Sequence, residues 1–103
     1  MRPFTKSKYN ARKSGGYASK REAAYADLLR RSKDAGAILD WLEQVPIKLP
    51  GNVRYVVDFM IIELDGSVRF IEIKGMETPE WKIKIRILEE MRPELYKRLE
   101  VLK

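Results

Sequence analysis

Between Val53 and Lys74 the chain carries two apolar strand patterns joined through Asp65-Gly66, and a carboxylate interrupts each of them. Val53, Tyr55, Val57, Phe59 and Ile61 fall on one phase of a strand over 53–64. Val56, Met60, Ile62 and Leu64 fall on the other, so both faces are apolar. Asp-Gly between apolar runs is a short hairpin signal. The return strand, 67–74, places Val68, Phe70, Glu72 and Lys74 on one face and Arg69, Ile71 and Ile73 on the other. Asp58 and Glu72 each sit among apolar neighbours. A lone carboxylate buried there costs several kcal/mol unless it is paired or metal-bound. Side-chain alternation puts Glu72 and Lys74 together, and the hairpin brings Asp58 towards them.

The flanking segments predict an α/β domain with a mixed sheet. Ser19 is an N-cap with Glu22 at the capping-box position, which starts a helix running to about Asp34 and ending near Gly36. Residues 37–49 are mixed, and their second half alternates through Val45, Ile47 and Leu49 as a strand. Pro46 confines that strand to an edge or a bulge. Pro50-Gly51-Asn52 is a turn. Over 78–92 the alternation of Trp81, Ile83, Ile85 and Ile87 with Lys82, Lys84 and Arg86 is strand-like. Thr78-Pro79-Glu80 is nonetheless a helix start, and a helix gathers Trp81, Ile85, Ile87, Leu88 and Met91 on one broad face. Pro93 ends it, and a short helical turn and a final strand, Leu99 to Lys103, follow. Residues 1–18 read as an irregular basic arm and 19–103 as one domain.

The chain has 103 residues, no cysteine and no histidine. Disulfides, thiolate or imidazole zinc sites, and Ser-His-Asp or Cys-His catalysis are therefore excluded. Any metal must have oxygen ligands, which points to Mg²⁺, Mn²⁺ or Ca²⁺. The formal charge is +6. Residues 1–21 hold Arg2, Lys6, Lys8, Arg12, Lys13, Lys20 and Arg21 and no acid, with Tyr9 and Tyr17 interleaved. That composition suits nucleic acid as a partner, the alternative being a solubilising tail. No apolar run is long enough to span a bilayer and no signal segment opens the chain, so a soluble, cytoplasmic protein is expected, with no membrane partner.

Two carboxylates with an ammonium group suit metal-assisted phosphodiester hydrolysis; the competing reading is a salt-bridge network. Asp58 on one strand followed by Glu72-Ile73-Lys74 on the next resembles the PD-(D/E)XK nuclease superfamily. The resemblance is closer to small phage-encoded members and extends from about Lys8 to Ile87. It rests on Lys8-Tyr9-Asn10, Ser19 to Ala23, Leu42 to Val45, Val57-Asp58-Phe59, and Lys74 to Glu80. The chain departs from the pattern at Val57, where proline is usual.

The resemblance implies a three-layer, restriction-endonuclease-like core, a mixed central sheet flanked by helices. It implies Mg²⁺ or Mn²⁺ held by Asp58, Glu72 and the Ile73 carbonyl, with Lys74 catalytic. A further acid on the first helix matches Glu22, although the capping box also accounts for that residue. Lys84, inside the apolar arc of the second helix, is expected either to reach a phosphate or to snorkel. With Lys6, Lys8, Arg12, Lys13, Lys20 and Arg21 it completes the expected DNA-binding set. Gln44 is a possible accessory group. The expected activity is a metal-dependent DNA endonuclease selective for branched DNA, resembling Holliday-junction resolvases. It would act as a homodimer through Trp41, Leu42 and the segment around Leu99, Val101 and Leu102. Nicking, DNA-end processing and a non-catalytic DNA-binding module remain open alternatives.

Overall fold

The computed structural model describes residues 19–103. The element order is α1 (Lys20–Asp34), β1 (Asp40–Leu49), β2 (Val53–Ile62), β3 (Val68–Ile73), α2 (Pro79–Met91), α3 (Pro93–Tyr96) and β4 (Leu99–Leu102). The protein is a small α/β fold with one four-stranded mixed sheet in the order β1-β2-β3-β4. The first two pairings are antiparallel and the β3–β4 pairing is parallel. Two compact units meet in sequence at Gly36; α1 belongs to the first, and Ala37–Lys103 forms the second. The expected basic arm, 1–18, lies outside the described residues.

α1 starts as its sequence directs. Ser19 is extended, and its Oγ accepts the Glu22 N–H at 3.1 Å. Gly36, at φ +80°, follows the last turn and donates its N–H to Lys33 O. Ala26 and Leu29 are its buried residues.

In the second unit, β1 lies at a sheet edge, where Pro46 removes no ladder bond from a central strand. The β1–β2 turn passes through Gly51 and Asn52, both at positive φ (+78° and +60°), a conformation these two residue types accept most readily. The β2–β3 connection differs from the expected tight Asp-Gly turn. β2 ends at Ile62, and residues 63–67 form the loop, closed by Glu63 N–H to Ser67 O and by Asp65 Oδ1, which accepts the Ser67 N–H and hydroxyl. The additional loop residues set Ile62 opposite Val68 and Phe59 opposite Ile71. Even positions of β2 therefore share a face with even positions of β3; a two-residue turn at 65–66 would have reversed that parity.

The strict alternation expected for β2 also fails at one point. Val53, Tyr55 and Val57 pack into the same cluster as Met60, Phe70 and Leu88, whereas the buried Phe59, Ile61 and Ile71 lie outside it. The inward phase thus advances by three residues across Asp58. On β1 it does the same across Gln44: Glu43 pairs Phe59 and Val45 pairs Val57, with Gln44 and Asp58 unpaired between them. Gln44 takes a left-handed φ of +53°. The register is the same on either side, so no residue is inserted; the ladder is interrupted at one opposed pair, Gln44 and Asp58.

α2 is capped as predicted: Thr78 Oγ1 accepts the Trp81 N–H and Pro79 opens the first turn. Leu88 is its one buried residue, at 1% exposure, and it anchors the helix on the face formed by Ile47, Leu49, Tyr55, Val57 and Phe70. Trp81 and Ile85 pack beside it. The terminal segment around Leu99, Val101 and Leu102 forms the sheet's outer strand, as its sequence predicts, with Leu99 packed against this cluster; Leu42 is exposed. No described helix is long and apolar enough to cross a membrane. Leu88→Ala should destabilise the protein by about 2–5 kcal/mol, because it empties the only fully buried contact of α2. A urea titration checks this.

Candidate active site

The site forms where the β2–β3 ladder stops. Beyond the Phe59–Ile71 pair the two backbones separate. Their polar groups are taken up by side chains of the opposite strand. Asp58 Oδ2 accepts the Ile73 N–H at 2.8 Å, and Glu72 Oε1 accepts the Asp58 N–H at 3.2 Å. Each carboxylate thereby replaces a missing backbone acceptor, which keeps two buried N–H groups satisfied. Gln44 Nε2 donates to Asp58 Oδ1 at 3.4 Å, and Lys74 Nζ stands 3.5 Å from Glu72 Oε2. The Lys74 N–H continues the parallel ladder to Leu102 O, which fixes the start of that side chain.

Asp58 and Glu72 are 8% and 4% exposed. Burial raises the pKa of Asp58, against the Ile73 N–H, Gln44 and Lys74, which lower it. Burial also raises Glu72, and the neighbouring Asp58 charge adds to that; Tyr55 and Lys74 oppose it. Two desolvated carboxylates share one ammonium group, so negative charge is in excess at this point. That imbalance is what a divalent cation relieves. The oxygen donors present, two carboxylates flanking the Ile73 peptide, fit a hard cation of the Mg²⁺ or Mn²⁺ type. Among the described residues no group of three or more acids gathers to hold a metal.

Two aromatic residues complete the surroundings. Lys74 Nζ lies 5.0 Å from the Trp81 ring centroid, within cation–π range. Tyr55 is buried beside Glu72, and burial first, then the Glu72 charge, pushes its phenol upward, so it stays protonated. The Tyr55 hydroxyl and the Trp81 indole N–H are buried and complete no hydrogen bond of normal geometry. Both residues read as plain core in the sequence. A tyrosine alternating with valines and a tryptophan on an apolar helix face carry no local sign of a polar role.

The structure thus brings together Asp58, Glu72, Ile73, Lys74 and Gln44. The last was nominated only as an accessory, and it takes a left-handed φ that a non-glycine residue seldom adopts. Glu22 is half-buried on α1, in the first unit. Lys20 and Arg21 are exposed on the same helix, and Lys6, Lys8, Arg12 and Lys13 lie outside the described residues. Lys84 pairs with the exposed Glu80 one turn earlier, at 3.4 Å.

A family model described as a protein of unknown function (DUF1064) matches residues 6–102. The chain belongs to the DUF1064 family. No curated protein and no solved structure matches it.

The raised carboxylates have a consequence for stability. An acid whose folded pKa is raised favours the fold below its unfolded pKa, and that contribution is lost as pH climbs through the folded value. Without metal, Asp58→Asn should therefore be more stable than wild type at neutral pH, by on the order of 1 kcal/mol. The difference should shrink as pH falls towards the unfolded aspartate value of 3.8 and vanish only well below it, at about pH 2–3, where Asp58 is protonated in both states. Thermal melts across pH measure it.

Proposed function

We propose that this DUF1064 protein is a metal-dependent DNA endonuclease. The observation that carries the reading is the convergence of Asp58, Glu72 and Lys74 at the break in the β2–β3 ladder, with both carboxylates buried and excess negative charge unrelieved. A structural ion pair needs one acid for one base; here a second buried acid stands beside the pair. The resemblance of Asp58 and Glu72-Ile73-Lys74 to the PD-(D/E)XK pattern supports the same reading, as does the +6 charge.

Asp58, Glu72 and the Ile73 carbonyl would hold Mg²⁺ or Mn²⁺. The cation would supply Lewis-acid polarisation of the scissile phosphate and neutralise charge there. Lys74 orients the attacking water and stabilises charge developing on the phosphate, its ammonium steadied over the Trp81 ring. Gln44 holds the orientation of Asp58 through Oδ1. The resemblance further implies an acid at Glu22 and a three-layered core. The basic residues of 1–21 would hold DNA by charge rather than by base reading, which favours branched DNA cut by a homodimer in the cytoplasm.

A nuclease assay with Mg²⁺ on duplex, single-stranded, flapped and four-way DNA tests the activity. Lys74→Ala should keep calorimetric Mg²⁺ binding while losing cleavage by about 100-fold or more, and Asp58→Asn should lose both. A Lys74→Ala protein that cuts at the wild-type rate overturns the assignment. Glu22→Gln should reduce cleavage far more than stability, since the cap uses the Glu22 backbone N–H and not its carboxylate. An active but destabilised variant would leave that residue a purely local role.

A further inference from the structure

A groove of about 610 Å³ runs between α2, α3 and β4, open to solvent. Its walls combine two kinds of side chain. Trp81, Tyr96, Leu99 and Val101 give apolar and aromatic surface, and Lys82, Arg86, Lys97 and Lys103 give positive charge against a single carboxylate, Glu77. Lys103 is paired with that Glu77, and Lys97 with Glu94 at 3.4 Å. Lys82 and Arg86 are exposed and have no ion-pair partner among the described residues. They stand four residues apart on α2, where like charges repel across one helical turn. The groove adjoins the carboxylate pair: Trp81 lines it and also lies under the Lys74 ammonium.

We infer that this groove binds a single nucleic-acid strand, with Lys82 and Arg86 on its phosphates and Tyr96 stacked on a base. This rests on the phosphodiester reading of the adjoining site. The argument for one strand over a duplex is the lining. A duplex presents phosphates and buries its base faces, so it would leave the aromatic surface unused. An unpaired strand presents both charge and π-faces, and sequence-tolerant strand binding combines a cationic track with stacking aromatics. A strand lying here leads past Trp81 to Lys74, so the groove feeds one backbone towards Asp58 and Glu72. Lys84 is not among the residues that line this groove.

The test is fluorescence anisotropy of the full chain with labelled oligodeoxyuridylate and oligouridylate of about 10 nucleotides, which differ only in the sugar. It is run in EDTA, so that no metal-dependent cleavage intervenes, across a salt series. The Lys82→Gln/Arg86→Gln protein should show a log–log salt slope shallower than wild type by about 1.4, two contacts at about 0.7 each on a single strand. Lys82→Arg/Arg86→Lys should restore it. Tyr96→Ala should weaken binding about fivefold or more with the slope unchanged, and Tyr96→Phe should retain wild-type affinity. Dependence of either oligonucleotide on these residues supports the groove, and the tighter of the two identifies the sugar it accepts. The inference is overturned by an unchanged slope in the doubly neutralised protein or by equal affinity in Tyr96→Ala. It is also overturned by tighter Lys82- and Arg86-dependent binding of duplex, or by competition from polyglutamate as strong as from the oligonucleotide. Strand binding through the groove with no cleavage by the wild type under Mg²⁺ would refute the nuclease and leave the groove. Cleavage that persists without these groove contacts would do the reverse.

Discussion

Everything at the proposed site depends on an exchange of hydrogen bonds between two carboxylates and two backbone amides. Asp58 reaches across to the amide of Ile73, and Glu72 reaches back to the amide of Asp58. A central sheet can be interrupted only if the released backbone groups find other partners. Here the acids supply them, so one pair of side chains both ends the β2–β3 ladder and becomes fixed by ending it. Removing water from two like charges is unfavourable, and burial together with mutual repulsion raises both acids. Stability is given up locally to hold charge in a defined place, and the surrounding apolar contacts of Val57, Phe59, Ile61 and Ile71, each at most 1% exposed, offset the loss.

The second constraint is the interruption of the β1–β2 ladder. Gln44 and Asp58 drop out of the β1–β2 register together, and Gln44 takes a backbone conformation that a non-glycine residue seldom adopts. The effect is to turn the Asp58 carboxylate towards Glu72 while Val57 and Phe59 still serve the two faces of the sheet. α2 then completes the arrangement from above the sheet. Leu88 fixes the helix in place, and Trp81 at its start limits where the Lys74 ammonium can go. The same helix carries Lys82 and Arg86 along the neighbouring groove, so the site and its charged approach are set by one element.

Much of this was legible along the chain. The caps of α1 and α2, the glycine that ends α1, the edge position forced by Pro46 and the two interrupted apolar strands all follow from local rules. The limits are as informative. The Asp65-Gly66 pair marked a turn, but the Asp65 side chain closed a longer loop and thereby fixed the strand register. The alternating pattern of 81–87 fitted a strand as well as a helix, and only the Thr78-Pro79 start resolved it. Tyr55 and Trp81 gave no signal of their own, because each fits its strand or helix without any partner, and Gln44 was marked only by the resemblance.

What the sequence by itself determined is the chemical inventory: oxygen ligands only, two acids and a lysine within two neighbouring strands, and a strongly basic chain. Residue types and short-range spacing decide those matters. What only the tertiary structure decided is which atoms meet. Whether Asp58 shares a face with Glu72 depends on the parity of the strand register, and the ladder breaks opposite it at Gln44. Lys74 is steadied by a ring seven residues further on, brought over the sheet by the burial of Leu88. The physical reason is that local propensities act over a few residues, whereas register, ladder breaks and helix docking are settled by burying apolar surface and satisfying backbone hydrogen bonds across the whole sheet at once.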